Sequence, residues 1–283
     1  VKYLGNRLWP IACNQQPETK SSEKNKDRKN MKLDQKVVLI TGAGGGIGQA
    51  AVRKFVSEGA KVMLADINTD ITQPLVNELG ADRCACVAVD VAEADQVENM
   101  VRTTVDTFGS IDVFVANAGT EGKIGSIMDT DVSNLDKVLA VNVRGVWLGL
   151  HYVMPVMRDG GGGSIIITSS GAGVQGSPNT AAYNTSKHAV IGLMRCAALE
   201  SAQFGIRVNT VNPGAVETRM MESIEDGFAE AGAGDFRAMV EAVTPLGRYG
   251  QPEEIANMMV FLGSDDSSYC TGSVYMVDGG NAT

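Results

Sequence analysis

Tyr183 and Lys187 stand four residues apart in Tyr183-Asn184-Thr185-Ser186-Lys187, at the head of a stretch whose apolar spacing predicts a helix to about Phe204. On a helix that spacing puts the phenol and the ammonium on one face, where they could pass a proton to or from a bound group. The pairing is common by chance, so its weight comes from its surroundings. Just upstream, an apolar run closes on Thr168-Ser169-Ser170, which offers two serine hydroxyls to the same region.

A second constellation is Thr41-Gly42-Ala43-Gly44-Gly45-Gly46-Ile47-Gly48, directly after the first apolar run and opening a helix-patterned stretch. Glycine there permits a tight turn and close approach of a pyrophosphate, and the N–H groups of the next helix offer a positive end to phosphate. Asp66 closes the second run, 18 residues beyond Gly48. A carboxylate at that place accepts hydrogen bonds from the adenosine ribose and repels a 2′-phosphate. No Lys or Arg occupies 42–48 or 66–72, so the pattern predicts NAD, with NADP the less favoured cofactor.

Elements that could position these groups follow from periodicity. Short β-branched runs at Lys36 to Thr41, Lys61 to Asp66, Cys84 to Asp90, Ile111 to Ala116, Ser164 to Ser169, Ile206 to Val211 and Ser273 to Asp278 predict strands. Between them lie stretches of helical spacing, such as Val97, Met100, Val101, Thr104, Val105 and Phe108. Strand and helix alternating in this way predict an α/β fold: a single-domain, Rossmann-type, doubly wound parallel sheet of about seven strands with helices on both faces. Gly160 to Gly163 reads as a turn, too short to divide domains.

Composition narrows the class further. The chain has 283 residues, 44% hydrophobic and 20% charged, with a formal net charge of −9, which disfavours a nucleic-acid partner. No apolar run is long enough for a membrane span or a signal peptide. Residues 1–30 differ from the rest in carrying a net charge of +4 and little periodicity, and are expected to be a disordered basic leader before a catalytic domain over 31–283. Cys13, Cys84, Cys86, Cys196 and Cys270 lack metal-ligand spacing and read as reduced thiols of a cytoplasmic protein. With His151 and His188 the only imidazoles, no metal site is expected.

From about Lys32 to Asn281 the chain resembles the short-chain dehydrogenase/reductase family. The likeness rests on the TGxxxGxG loop, Asp90-Val91 after the third strand, Asn117-Ala118-Gly119 after the fourth, Asn142 in a helix, Ser170, Tyr183, Lys187, and Pro213-Gly214 with Thr218. The resemblance selects Ser170 over Ser169, because it precedes the tyrosine by 13 residues. It implies Tyr183 as general acid/base, Lys187 as its electrostatic tuner and ribose ligand, Ser170 as a hydrogen-bond partner of the substrate oxygen, and Asn142 as the anchor of a proton relay.

A free phenol titrates near 10, so roughly one in a thousand is ionised at pH 7, and lowering it by about three units corresponds to about 4 kcal/mol. Lys187 and the charge of an oxidised nicotinamide would both act in that direction. Cofactor contacts implied by the family are Gly42, Gly46, Ile47, Gly48, Asp66, Asp90, Val91, Asn117, Gly119, Tyr183, Lys187, Pro213, Gly214, Val216 and Thr218. His188 and Cys196 read as helix-packing residues.

The family's variable substrate lid falls here at about 218–243, where Met220, Met221, Ile224, Phe228, Phe236, Met239 and Val240 suggest a hydrophobic secondary alcohol or ketone as the small-molecule partner. Two alternatives share these motifs: a 3-oxoacyl-[acyl-carrier-protein] reductase and a non-catalytic NAD sensor. Against the first, the lid carries Glu222, Glu225, Asp226, Glu230, Asp235 and Glu241 against Arg219 and Arg237, and would repel an acidic carrier. Against the second, Ser170, Tyr183 and Lys187 are all present. The resemblance also implies a homotetramer, with helices around 134–158 and 182–204 at one interface.

Overall fold

In the computed structural model, which describes residues 31–232 and 234–282, every apolar run predicted as a strand forms one. They are β1 (Val37–Thr41), β2 (Lys61–Asp66), β3 (Cys84–Ala88), β4 (Val113–Ala116), β5 (Gly163–Thr168), β6 (Ile206–Pro213) and β7 (Val274–Val277). The helices are α1 (Gly46–Ser57), α2 (Thr69–Leu79), α3 (Ala94–Phe108), α4 (Val132–Leu139), α5 (Gly145–Asp159), α6 (Ala181–Ser201), α7 (Arg219–Glu230), α8 (Phe236–Val243) and α9 (Pro252–Gly263). The expected leader, with Cys13, lies outside the described residues.

All seven strands pair in parallel, in the order β3-β2-β1-β4-β5-β6-β7. The pleat sends alternate residues to opposite faces. Val38, Ile40, Val62, Leu64 and Val115 pack with Phe55 of α1 and Met259 of α9. Leu39, Met63, Phe114, Ile165 and Ile167 pack with Met100 of α3, Val153 of α5 and Met194 of α6. Because helices cover both faces, all five residues of β1 are buried, and Val37 to Ile40 read as a continuous apolar run. Each such Val, Leu or Ile contributes about 1.5–3 kcal/mol on leaving water.

Several boundaries differ from the sequence expectation. β3 stops at Ala88 because Asp90 turns the chain, its carboxylate accepting from the Ala92 N–H at 2.9 Å. The helix expected from Tyr183 begins at Ala181 and tightens into a 3-10 turn at Ala202–Phe204. A larger departure affects Asn142: the helical stretch from 132 to 159 is broken by a π turn at Ala140–Arg144, in which Asn142 is buried. Cys84 and Cys86 do share a sheet face, and Cys84, Cys86, Cys196 and Cys270 are free thiols.

From β1 the chain winds outward through β2 and β3, then crosses back to β4 and winds the other way. At such a switch point the two crossovers leave a crevice beyond the carboxyl ends of the central strands. The predicted glycine loop and Asn117-Ala118-Gly119 both emerge there.

Candidate active site

Most site residues stand where a strand ends or a helix begins, and tertiary contacts complete their placement. Thr41 ends β1, and its Oγ1 accepts from the N–H groups of Asn117 and Ala118 at 3.1 and 3.2 Å. Asn117 Nδ2 donates to the carbonyls of Thr41 and Gly42, and its Oδ1 accepts from Thr168 Oγ1 at 3.2 Å. One side chain thus ties the ends of β1, β4 and β5. In the glycine loop a Cβ on Gly48 would collide with the Gly42 carbonyl, and one on Gly46 would lie 2.8 Å from Thr218 Cγ2. The loop is therefore a cradle of bare backbone. No side chain caps the N-terminus of α1, and no acid lies in its first turn, which leaves those N–H groups to an anion. Asp66 flanks the cradle, accepting from the Gly44 N–H at 2.8 Å.

On the other side of the switch point, Ser170 caps the short 3-10 turn Gly171–Gly173, its Oγ accepting from the Ala172 N–H at 3.2 Å. Its hydroxyl lies near enough to the Tyr183 phenol to favour the ionised form. Ser169 instead is buried and donates to the Lys187 carbonyl at 3.0 Å, facing away from the tyrosine as the sequence suggested. The Lys187 ammonium donates to the Thr168 carbonyl at 2.9 Å and lies 5.5 Å from the centre of the Tyr183 ring.

All the sequence-predicted residues except Asn142 line one cavity of about 1520 Å³. That exceeds the roughly 300–1,000 Å³ of an ordinary small-ligand pocket and suits a dinucleotide with a second molecule beside it. Pro213, Gly214, Val216 and Thr218 form its wall after β6, and Thr218 caps α7 by accepting from the Met221 N–H at 3.3 Å. Over it lie α7 and α8, joined by stacked Phe228 and Phe236 rings 4.1 Å apart.

Asn142 stands behind this wall. Its Oδ1 accepts from the Thr120 N–H at 2.8 Å, and its Nδ2 donates to the Thr120 carbonyl at 2.9 Å and to Ser186 Oγ at 3.0 Å. Ser186 Oγ in turn donates to the Tyr183 carbonyl at 2.7 Å. Asn142 therefore braces the β4–α4 segment against α6, and the π turn is what aims it there. Sequence reasoning missed Thr120, Ser186 and Asn212, whose Nδ2 donates to the Ser170 carbonyl at 2.7 Å. Ser186 lies within the Tyr-x-x-x-Lys motif, but neither Thr120 nor Asn212 carried a local signal.

Electrostatics amend one expectation. Burial raises the Tyr183 phenol above its ordinary value; the Ser170 hydroxyl opposes this, and the Glu121 carboxylate adds to it. The lowering inferred from sequence is thus not a property of the protein alone. Burial also pulls Lys187 down to about 8.

Since a buried ammonium costs stability, the folded chain surrenders this proton between about pH 8 and 10.5, where the unfolded chain still holds it, and stability rises with pH across that window. Replacing Lys187 by Met removes the dependence. Measured by urea unfolding, the difference between wild type and Lys187→Met is expected to move in favour of wild type by about 3 kcal/mol from pH 7 to above 10.5. A difference independent of pH would rule out the buried charge as its source.

A family model described as enoyl-(acyl carrier protein) reductase matches residues 42–282. Cyclohexanol dehydrogenase of Acinetobacter sp. (strain SE19) is 38% identical over 250 residues, covering 88% of this chain and 95% of that protein. The crystal structure of levodione reductase superposes with a TM-score of 0.85 at 37% identity, over 88% of this chain and 98% of that one. A structure of 3-ketoacyl-(acyl-carrier-protein) reductase from Brucella melitensis complexed with NADH gives a TM-score of 0.81 at 30% identity, over 89% of this chain and all of that one (100%).

Proposed function

The chain belongs to the short-chain dehydrogenase/reductase family, and on that premise we propose that it is an NAD-dependent oxidoreductase interconverting a hydrophobic secondary alcohol and its ketone. The observation that carries this reading is the meeting of Ser170, Tyr183 and Lys187 in the same cavity as the bare glycine cradle and Asp66. When bound, a nicotinamide supplies the hydride acceptor or donor. Tyr183 Oη takes the alcohol proton during oxidation and returns it during reduction, Ser170 Oγ holds the reacting oxygen, and Lys187 supplies positive charge beside the phenol. Asn142 acts through Thr120 and Ser186, keeping α6 in register with the β4–α4 segment.

Preference for NAD rests on the Asp66 carboxylate at the cradle, with no cation at 42–48 or 66–72. Gly42, Gly46, Ile47 and Gly48 would face the pyrophosphate, and Asp90, Val91, Asn117 and Gly119 the adenosine side. Pro213, Gly214, Val216 and Thr218 would hold the nicotinamide end. Residues 218–243 form the substrate lid, and its apolar lining by Met220, Ile224, Phe228 and Met239 suits a hydrocarbon ring, as do the names of the cyclohexanol and levodione relatives. Free thiols fit a reducing cytoplasm, and exposed Trp147 on α5 and Leu199 on α6 fit an interface of a homotetramer.

The acyl-carrier-protein reductase alternative is favoured by the family model's description and by the Brucella structure. Absorbance at 340 nm, read with NAD and NADP forms in parallel over cyclic alcohols, ketones, steroids and a 3-oxoacyl thioester, separates the readings. Turnover of alcohols or ketones with NAD is expected. Selective NADPH-dependent thioester reduction would favour the acyl reductase, and tight NAD binding with no turnover would favour a sensor.

A further inference from the structure

Among the charged side chains around the cavity, Glu121 has no part in the scheme above, yet it lines the same space as Tyr183 and acts on its phenol. Its side chain is half-buried and makes no hydrogen bond or ion pair with another described residue. Its place is nevertheless fixed. Thr120 on one side is clamped by both ends of the Asn142 amide, at 2.8 and 2.9 Å, and Lys123 on the other donates its N–H to Asn134 Oδ1 at 2.7 Å. The residue that anchors Glu121 is thus the residue that braces α6 beneath Tyr183. The apolar lid residues Met220, Ile224 and Met239 line the same cavity.

A carboxylate held without a partner beside an apolar chamber is a specificity element, because leaving a charged acceptor unmatched against bound ligand costs more than a neutral contact gains. We propose that Glu121 accepts a hydrogen bond from a second hydroxyl of the substrate, so that diols and hydroxy ketones are preferred over monoalcohols and anionic substrates are excluded. This deepens the oxidoreductase reading and rests on it for the place of the reacting carbon.

Glu121 also bears on proton transfer, since its negative charge disfavours the Tyr183 phenolate. The other charges around the cavity are Lys187 on the helix of Tyr183, Asp66 and Asp90 at the strand ends, and Glu217, Arg219 and Glu222 on the lid side. Glu217 is paired with Arg237.

The test compares the cyclohexane-1,2-, -1,3- and -1,4-diols with cyclohexanol on wild type, Glu121→Gln and Glu121→Leu. The ratio of kcat/KM for the best diol over monoalcohol is expected to favour diol in wild type and to fall at least tenfold in Glu121→Leu. In Glu121→Gln the pH profile of oxidation is expected to move to lower pH. Calorimetric titration of the same compounds into the protein with NADH gives the same ratio without turnover. A ratio unchanged within twofold in Glu121→Leu, by kinetics or by calorimetry, overturns the proposal. Absence of turnover in wild type with a changed binding ratio overturns the oxidoreductase reading instead and leaves the Glu121 assignment standing.

Discussion

Tyr183→Phe is expected to lower kcat/KM for alcohol oxidation by about 10³-fold while NADH still binds, because the substitution removes one oxygen from a side chain otherwise unchanged in shape. A factor of that size is about 4 kcal/mol of transition-state stabilisation, within the range of a positioned general base. The scaffold should tolerate the change. Ser170 keeps its bond from the Ala172 N–H, and its carbonyl stays held by Asn212. The Asn142–Ser186 link reaches the Tyr183 backbone rather than its ring. Steady-state rates at 340 nm and quenching of intrinsic fluorescence by NADH measure the two effects separately. Activity within tenfold of wild type would reject Tyr183 as the proton carrier, and loss of both activity and binding would assign the ring a packing role.

The second large effect is expected from Asp66→Ala. Its carboxylate sits at the cradle, bonded to the Gly44 N–H at 2.8 Å and the Asn68 N–H at 3.3 Å. Losing hydrogen bonds that the ribose hydroxyls donate to a charged acceptor costs about 1.5–3 kcal/mol in NAD binding, and removing the negative charge relieves repulsion of a 2′-phosphate. Together these should move the NAD-to-NADP ratio of kcat/KM by about 10²–10³-fold toward NADP. Because Asp66 also steadies Gly44, a loosened loop would weaken both cofactors alike. The ratio is therefore the informative quantity, and an unchanged ratio would reduce Asp66 to a brace.

What could be read from the chain alone was what neighbouring residues settle among themselves. A strand of apolar β-branched residues, glycines at a tight turn and a helix after it are written within about a dozen positions, so the β1 cradle, its placement before α1 and the alternation of the sheet were all legible. The shared face of Tyr183 and Lys187 was legible for the same reason: 3.6 residues per turn is a local constant. Ser170 needed the family resemblance, since adjacency along the chain does not say which of two serines turns toward the tyrosine.

Other parts of the site depend on contacts between residues far apart in sequence, and only the packed fold decides them. Asn117 joins three strand ends because the β1–β4 crossover brings Thr41 beside it. Asn142 falls in a helical stretch by its sequence, but the π turn that redirects it has no signature in apolar spacing and is stabilised by partners at Thr120 and Ser186. The phenol of Tyr183 follows the same logic. The residue order places a lysine four positions away, whereas burial, which raises the phenol, and Glu121, from the β4–α4 segment, enter only once tertiary packing has removed water and brought distant segments to one cavity.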